Sequence, residues 1–149
     1  MKRLTYILLL AATLLLGGCT QNDGNIGDWF GTWRLAEIQI DGQPDESYAG
    51  NVVWKFHSDI VSIMTVDDAE HEALPAWGTW SEAEGVLTLN FTYSDSDNPN
   101  EWDKYTPPAS THIPAGITRI DVVKLSTAEI VLKYVATDAT YTYFLKKHG

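Results

Sequence analysis

The sequence predicts an all-β domain, an eight-stranded antiparallel up-and-down β-barrel, and three observations carry that prediction. Runs of β-branched and aromatic residues recur from Phe30 to the C-terminus with turn signals between them, and none keeps a helical period. Most connections are short, which suits antiparallel neighbours. Eight such strands in series leave raw edges unless the sheet closes on itself, so a barrel is expected.

The first strand is expected over 29–40, ending at the turn signal Asp41-Gly42. Within it Trp33 and Leu35 share one phase, while Ala36, Ile38 and Ile40 share the other. That slip predicts a bulge near Ala36. Residues 43–50 read as a loop. A second strand over 51–57 alternates Val52, Trp54 and Phe56 against Val53, Lys55 and His57, which turns His57 toward water. Ser58-Asp59 turns the chain into a third strand over 60–66, apolar on both faces. The acidic loop 67–75 then leads to a fourth strand over 77–82. Its Gly78-Thr79-Trp80 echoes Gly31-Thr32-Trp33. In each, the glycine is expected to let a neighbouring backbone or ring approach closely while the tryptophan fills space. A duplicated barrel would put the echo in the fifth strand, so no internal repeat is inferred.

The fifth strand alternates most cleanly, Leu87, Leu89, Phe91 and Tyr93 against Thr88, Asn90 and Thr92. After it the proline-bearing segment 94–115 shows no periodicity. Loops of that length in compact domains carry function or are disordered. Strands six, seven and eight are expected over 117–125, 129–136 and 140–147. The seventh presents Ile130, Leu132 and Tyr134 on one face, and the eighth Tyr141, Tyr143 and Leu145. The last strand is expected to pair with the first. Strands of about eight residues make short walls, so the interior should be small or partly filled by Trp and Tyr.

Ahead of this domain, Lys2-Arg3 precedes an apolar run over 7–16 and then Leu16-Gly17-Gly18-Cys19. A basic start, an apolar stretch too short for an ordinary membrane span and small residues before a cleavage point make a secretory signal. The Leu-Gly-Gly-Cys ending resembles the lipobox of bacterial lipoproteins. That resemblance implies that Cys19 is acylated, becomes the mature N-terminus and attaches the protein to a membrane. Several acyl chains, at about 0.8 kcal/mol per buried methylene, make such an attachment stable. The expected divisions are a lipoprotein signal peptide over 1–18, a lipidated tether over 19–28 and a barrel domain over 29–149. Thr20 stands where an aspartate would retain such lipoproteins in the inner membrane, which implies an outer-membrane lipoprotein of the cell envelope.

Removing 1–18 takes away two of the ten basic residues and none of the twenty acidic ones, leaving a formal charge of −12. That sign argues against nucleic acid and against adsorption to anionic lipid, and it favours solubility. With its one cysteine lipidated the mature chain forms no internal disulfide, so stability rests on an aromatic-rich core.

No catalytic constellation is present. The chain lacks a Gly-x-Ser-x-Gly elbow, a phosphate-cradling glycine loop and a His-Glu-x-x-His pair, so neither an enzyme nor a cofactor is expected. His57, His71, His112 and His148 are scattered and suggest no shared metal site. The clusters Asp67, Asp68, Glu70, Glu72 and Asp95, Asp97, Asn100, Glu101, Asp103 have carboxylate oxygens that could bind calcium, but they fit no EF-hand and read as solvated acidic loops. Arg34 and Arg119 lie in expected strands. An inward arginine would clamp a carboxylate bidentately, but their phases fit outward charges equally well. Trp102, in the long loop, reads as a lid, a partner anchor or packing over the open end.

Gly31-Thr32-Trp33, Val53-Trp54-Lys55-Phe56, and Gly78-Thr79-Trp80 with Leu87-Thr88-Leu89 occur in an order and spacing that resemble the lipocalin superfamily. They resemble more closely the bacterial lipocalin-like lipoprotein domains that follow a lipobox. The resemblance covers most of 28–147. The chain departs from typical lipocalins in its short length, its lack of a disulfide and its lack of a C-terminal helix, which speaks against a lipid-sized pocket. The resemblance implies a noncatalytic, lipid-anchored envelope protein that binds a small apolar or amphipathic ligand. The expected binding surface is Trp33, Trp54, Phe56, Phe91, Tyr93, Trp102, Arg119, Tyr134, Tyr141 and Tyr143. The alternative is a filled barrel acting as an interaction module, its acidic loops presented to an envelope protein or glycan. The interior discriminates the two. An empty apolar space of a few hundred Å³ favours a ligand, and a packed interior favours the module.

Overall fold

A computed structural model describes residues 27–66, 75–92 and 106–148. Eight long strands form one antiparallel sheet: β1 (Gly31–Ile40), β3 (Val52–His57), β4 (Ile60–Thr65), β5 (Ala76–Ala83), β6 (Val86–Phe91), β7 (Gly116–Leu125), β8 (Glu129–Val135) and β9 (Thr140–Lys147). A two-residue strand, β2 (Gln43–Pro44), lies within the stretch expected as loop and pairs with the end of β1. Each long strand pairs with the next, and β9 returns to β1, so the sheet is a closed barrel.

The seam shows how one strand serves two neighbours. Residues 31–35 of β1 pair with β3, whereas the β9 pairing runs from Trp33↔Lys147 to Ile40↔Tyr141. Between Leu35 and Glu37 the β9 register slips by one residue. Ala36 is the extra residue, so the expected bulge is present. Its effect is to turn Ile38 inward in line with Trp33 and Leu35, and all three are buried. A second slip lies between Val122 and Lys124 of β7, where Val123 is the extra residue and stays on the outer face with Arg119 and Asp121.

Alternation then fills the interior. Val52, Trp54 and Phe56 of β3, Leu87, Leu89 and Phe91 of β6, and Tyr141, Tyr143 and Leu145 of β9 all face inward and are buried. Burying each such side chain contributes roughly 1.5–3 kcal/mol. The glycine of the second Gly-Thr-Trp device acts as expected, and that of the first meets a lysine side chain in place of a backbone or ring. A Cβ on Gly78 would stand 2.6 Å from the Asn90 carbonyl oxygen and 2.9 Å from the Phe91 ring. Gly31 has φ +114° and lies against the Lys147 side chain.

Two short pieces outside the sheet close the barrel. Gly27–Trp29 is a 3-10 turn, so Trp29 belongs to a plug and not to the first strand as expected. Its backbone carbonyl accepts a 3.0 Å hydrogen bond from Trp33 Nε1. Its ring packs on Phe56 at 5.1 Å and on Trp80 at 5.4 Å between centroids. At the other end the described part of the long proline-bearing segment contains a second 3-10 turn, Ala109–Thr111.

Candidate functional site

The mouth opposite Trp29 is where the expected site residues and the long segment meet. Proline at 107, 108 and 114 stiffens the segment, and Thr111 and Ile113 between them are buried. Tyr143, on the inner face of β9, donates a 2.6 Å hydrogen bond to the Thr111 carbonyl. Burial holds its phenol far above the ordinary tyrosine range, followed by the influence of Tyr134 and Tyr141. Thr111 Oγ1 donates to the Pro108 carbonyl at 2.7 Å, which fixes the turn.

A polar latch lies across the rim. His112, in the left-handed conformation at φ 59°, stands 3.3 Å from an Asp45 carboxylate oxygen, and its ring stacks on Tyr141 at 4.6 Å and 13°. Hydrogen bonds from Ser47 and then from His112 hold the Asp45 carboxyl below its usual range. Tyr141 donates to Asp138 at 2.9 Å, and its phenol is pushed up first by burial and then by that carboxylate. Tyr48, from the same loop as Asp45, donates to the Leu35 carbonyl at 2.6 Å and accepts from the Val52 amide at 3.1 Å. It thus spans the gap that opens where β1 and β3 separate.

Behind this lid the expected binding face is brought together as packing. Trp33, Trp54, Phe56 and Tyr143 are each 0 % exposed, and Phe91 is 2 %. Trp54 lies 6.2 Å from Phe56 and 6.0 Å from Tyr143, and Phe56 meets Trp80 edge-on at 5.0 Å. Tyr134 is half-buried at the rim, stacked 6.0 Å from Tyr141. Arg119 is not part of this face. Thr118 and Ile120 take the inward phase of β7, which leaves Arg119 exposed on the outer wall, and Arg34 is likewise exposed. Tyr93, Trp102, Cys19 and both acidic clusters lie outside the described residues.

Four buried side-chain groups among the described residues have no hydrogen-bond partner: Trp54 Nε1, Thr118 Oγ1, Trp80 Nε1 and Ser62 Oγ. Such groups are uncommon because each leaves a desolvated donor or acceptor unpaired. Among the described residues no group of three or more His, Cys, Asp or Glu side chains is placed to hold a metal ion.

Outside the barrel, three concavities are lined by described residues. One of about 480 Å³ lies on the wall of β1, β3, β4 and β5 and is lined by Phe30, Lys55, His57, Ile60 and Trp77 among others. One of about 640 Å³ lies around Val123, Val131 and Phe144, and one of about 390 Å³ beside Trp29 and Trp80.

Sequence reasoning missed Trp29 as a plug, and it missed the lid of Thr111, His112 and Ile113. The paired prolines were the one signal for the lid, since they mark a rigid segment without saying where it packs.

The comparisons with known proteins agree with this architecture. The chain is similar over 82 % of its length, and over all of the other chain, to a lipocalin-like protein from Bacteroides uniformis, at 20 % identity and a TM-score of 0.60. It is similar over 80 % of its length, and 99 % of the other, to an uncharacterized protein from Bacteroides eggerthii, at 14 % identity and a TM-score of 0.58. At such identities these likenesses bear on the fold alone. No curated protein matches the chain. A family model described as a lipocalin-like domain matches residues 14–144. With the closed eight-stranded barrel, that match places the chain in the lipocalin-like domain family, to which it belongs.

Proposed function

We propose that the protein is a noncatalytic, lipid-anchored component of the cell envelope, in which a packed lipocalin-like barrel serves as a rigid interaction module. It acts through its outer surface and its rim loops, and its partner is an envelope protein or glycan. Anchoring comes from acylated Cys19 after removal of 1–18. The observation that carries this reading is the interior: Trp33, Trp54, Phe56 and Tyr143 fill it at 0 % exposure. The lid over it is tied down from inside by Tyr143.

Native mass spectrometry of the full-length product purified from its own envelope tests the reading. The expected mass is that of the acylated polypeptide from Cys19 onward with nothing else bound. A small molecule retained at one copy per chain would sink it.

A second reading has a specific observation behind it. Trp54 Nε1 and Thr118 Oγ1, both inward and unpartnered, are the groups that a small amphipathic molecule would meet if the lid swung away. In that reading the same experiment returns the retained molecule.

A further inference from the structure

We infer that the wall formed by Phe30, Ile60 and Trp77 lies flat against the bilayer that holds the acyl chains of Cys19. The inference rests on the anchoring part of the proposed function and adds an orientation to it. Phe30 is 49 % exposed, Ile60 42 % and Trp77 43 %. Together they border one concavity of about 480 Å³ on the outer face of β1, β3, β4 and β5. A patch of this kind on a closed barrel asks for an occupant.

Three observations choose lipid. The first is reach. Cys19 precedes Gly27 by eight residues, which span at most about 29 Å, roughly the width of a domain this size. Phe30 follows three residues later, so the wall beside the chain's entry is the one held near the membrane. The second is charge. In a chain whose expected mature charge is −12, the residues lining this concavity include Lys55 and no carboxylate. Lys147 Nζ donates to the Phe30 carbonyl beside it, and the backbone N–H of His148 donates to the Thr32 carbonyl at 2.9 Å. Asp28 and Asp59 are the acidic neighbours in the chain, at the entry and in the β3–β4 turn. The ammonium groups of Lys55 and Lys147 beside apolar side chains suit anionic headgroups over acyl chains. The third is residue type, since a half-exposed tryptophan with phenylalanine and isoleucine is the kind of set that settles at a membrane interface. The concavity around Val123 and Phe144 differs in having the carboxylate of Asp41 in its lining, and that lining has no tryptophan.

The test uses the full-length, processed protein in vesicles of phosphatidylethanolamine and phosphatidylglycerol with brominated acyl chains. Intact mass first establishes acylation of Cys19. Tryptophan emission should be quenched by bromine, and most of that quenching should be lost in Trp77→Phe. It should also be lost in Ile60→Glu, in which Trp77 is kept, while both variants still float with the vesicles through their acyl chains. Absent quenching in the unaltered protein, or quenching unchanged in Trp77→Phe, overturns the docking while leaving the anchor in place. So does a crosslinked dimer joined through Trp77, which would make the occupant a second copy of the chain. Absence of acylation overturns the anchor and the docking with it.

Discussion

The Tyr143 hydroxyl reaches out of the barrel core to the Thr111 carbonyl, 2.6 Å away, and so ties an irregular segment to the last strand. Both residues are fully buried, which makes this bond part of the core and not a surface contact. Tyr143→Phe removes the donor and strands the carbonyl. Destabilisation of about 1–3 kcal/mol is expected in urea unfolding. Amide exchange at His112 and Ile113 should quicken more than exchange in β3. An unchanged lid would show that its packing, and not this bond, retains it.

Asp45 gives the rim a dependence on acid. Its carboxyl is held below the ordinary 3.8 by Ser47 and then His112, so the folded protein binds that proton less readily than the unfolded chain. The contribution is therefore present above about pH 3.8 and fades as pH falls through the lower, folded value. Asp45→Asn should flatten that part of the acid limb. Melting temperatures of both proteins between pH 6 and pH 2.5 measure it, and parallel curves would refute the coupling.

Gly78 admits its neighbours at distances a side chain cannot share. Gly78→Ala should place a methyl group against the Asn90 carbonyl and the Phe91 ring and destabilise by about 1–3 kcal/mol. The urea midpoint reports the loss. A neutral result would mean that β5 and β6 move apart at little expense.

Thr118 offers a test of the interior. Its hydroxyl is buried without a partner. Thr118→Val should raise stability by about 1 kcal/mol, because an unpaired polar atom gives way to an apolar one of the same shape. A loss of stability would mean that the hydroxyl is paired in solution, by water or by a small molecule, and would favour the second functional reading.

Much of the barrel was legible because strand alternation is a local property. The phase slip between Leu35 and Ala36 foretold the bulge, and the extent 140–147 matched β9. The alternation of Leu87, Leu89 and Phe91 gave their burial. The plugs were not legible. Trp29 continues the apolar pattern of β1, and it takes the 3-10 turn and the hydrogen bond from Trp33 to show that the sheet starts only after it. Thr111 is polar, and its burial follows from a tyrosine far along the chain, a tertiary contact that no window around Thr111 contains. In β7 the periodicity paired Arg119 with Asp121 but could not say which phase faced inward. The answer came from the pairing of Thr118 and Ile120 with Leu89 and Leu87.

The seam between β1 and β9 sets a condition on assembly. Trp33 and Lys147 are partners there although they stand near opposite ends of the chain. Until β9 is in place, the opening strand keeps one edge unsatisfied and the sheet lacks its longest-range pairing, a topology that slows closure. A nascent or truncated chain that stops short of β9 carries an open ladder that invites pairing with another copy. Pairing of the eight residues of β9 with β1 is what removes that edge.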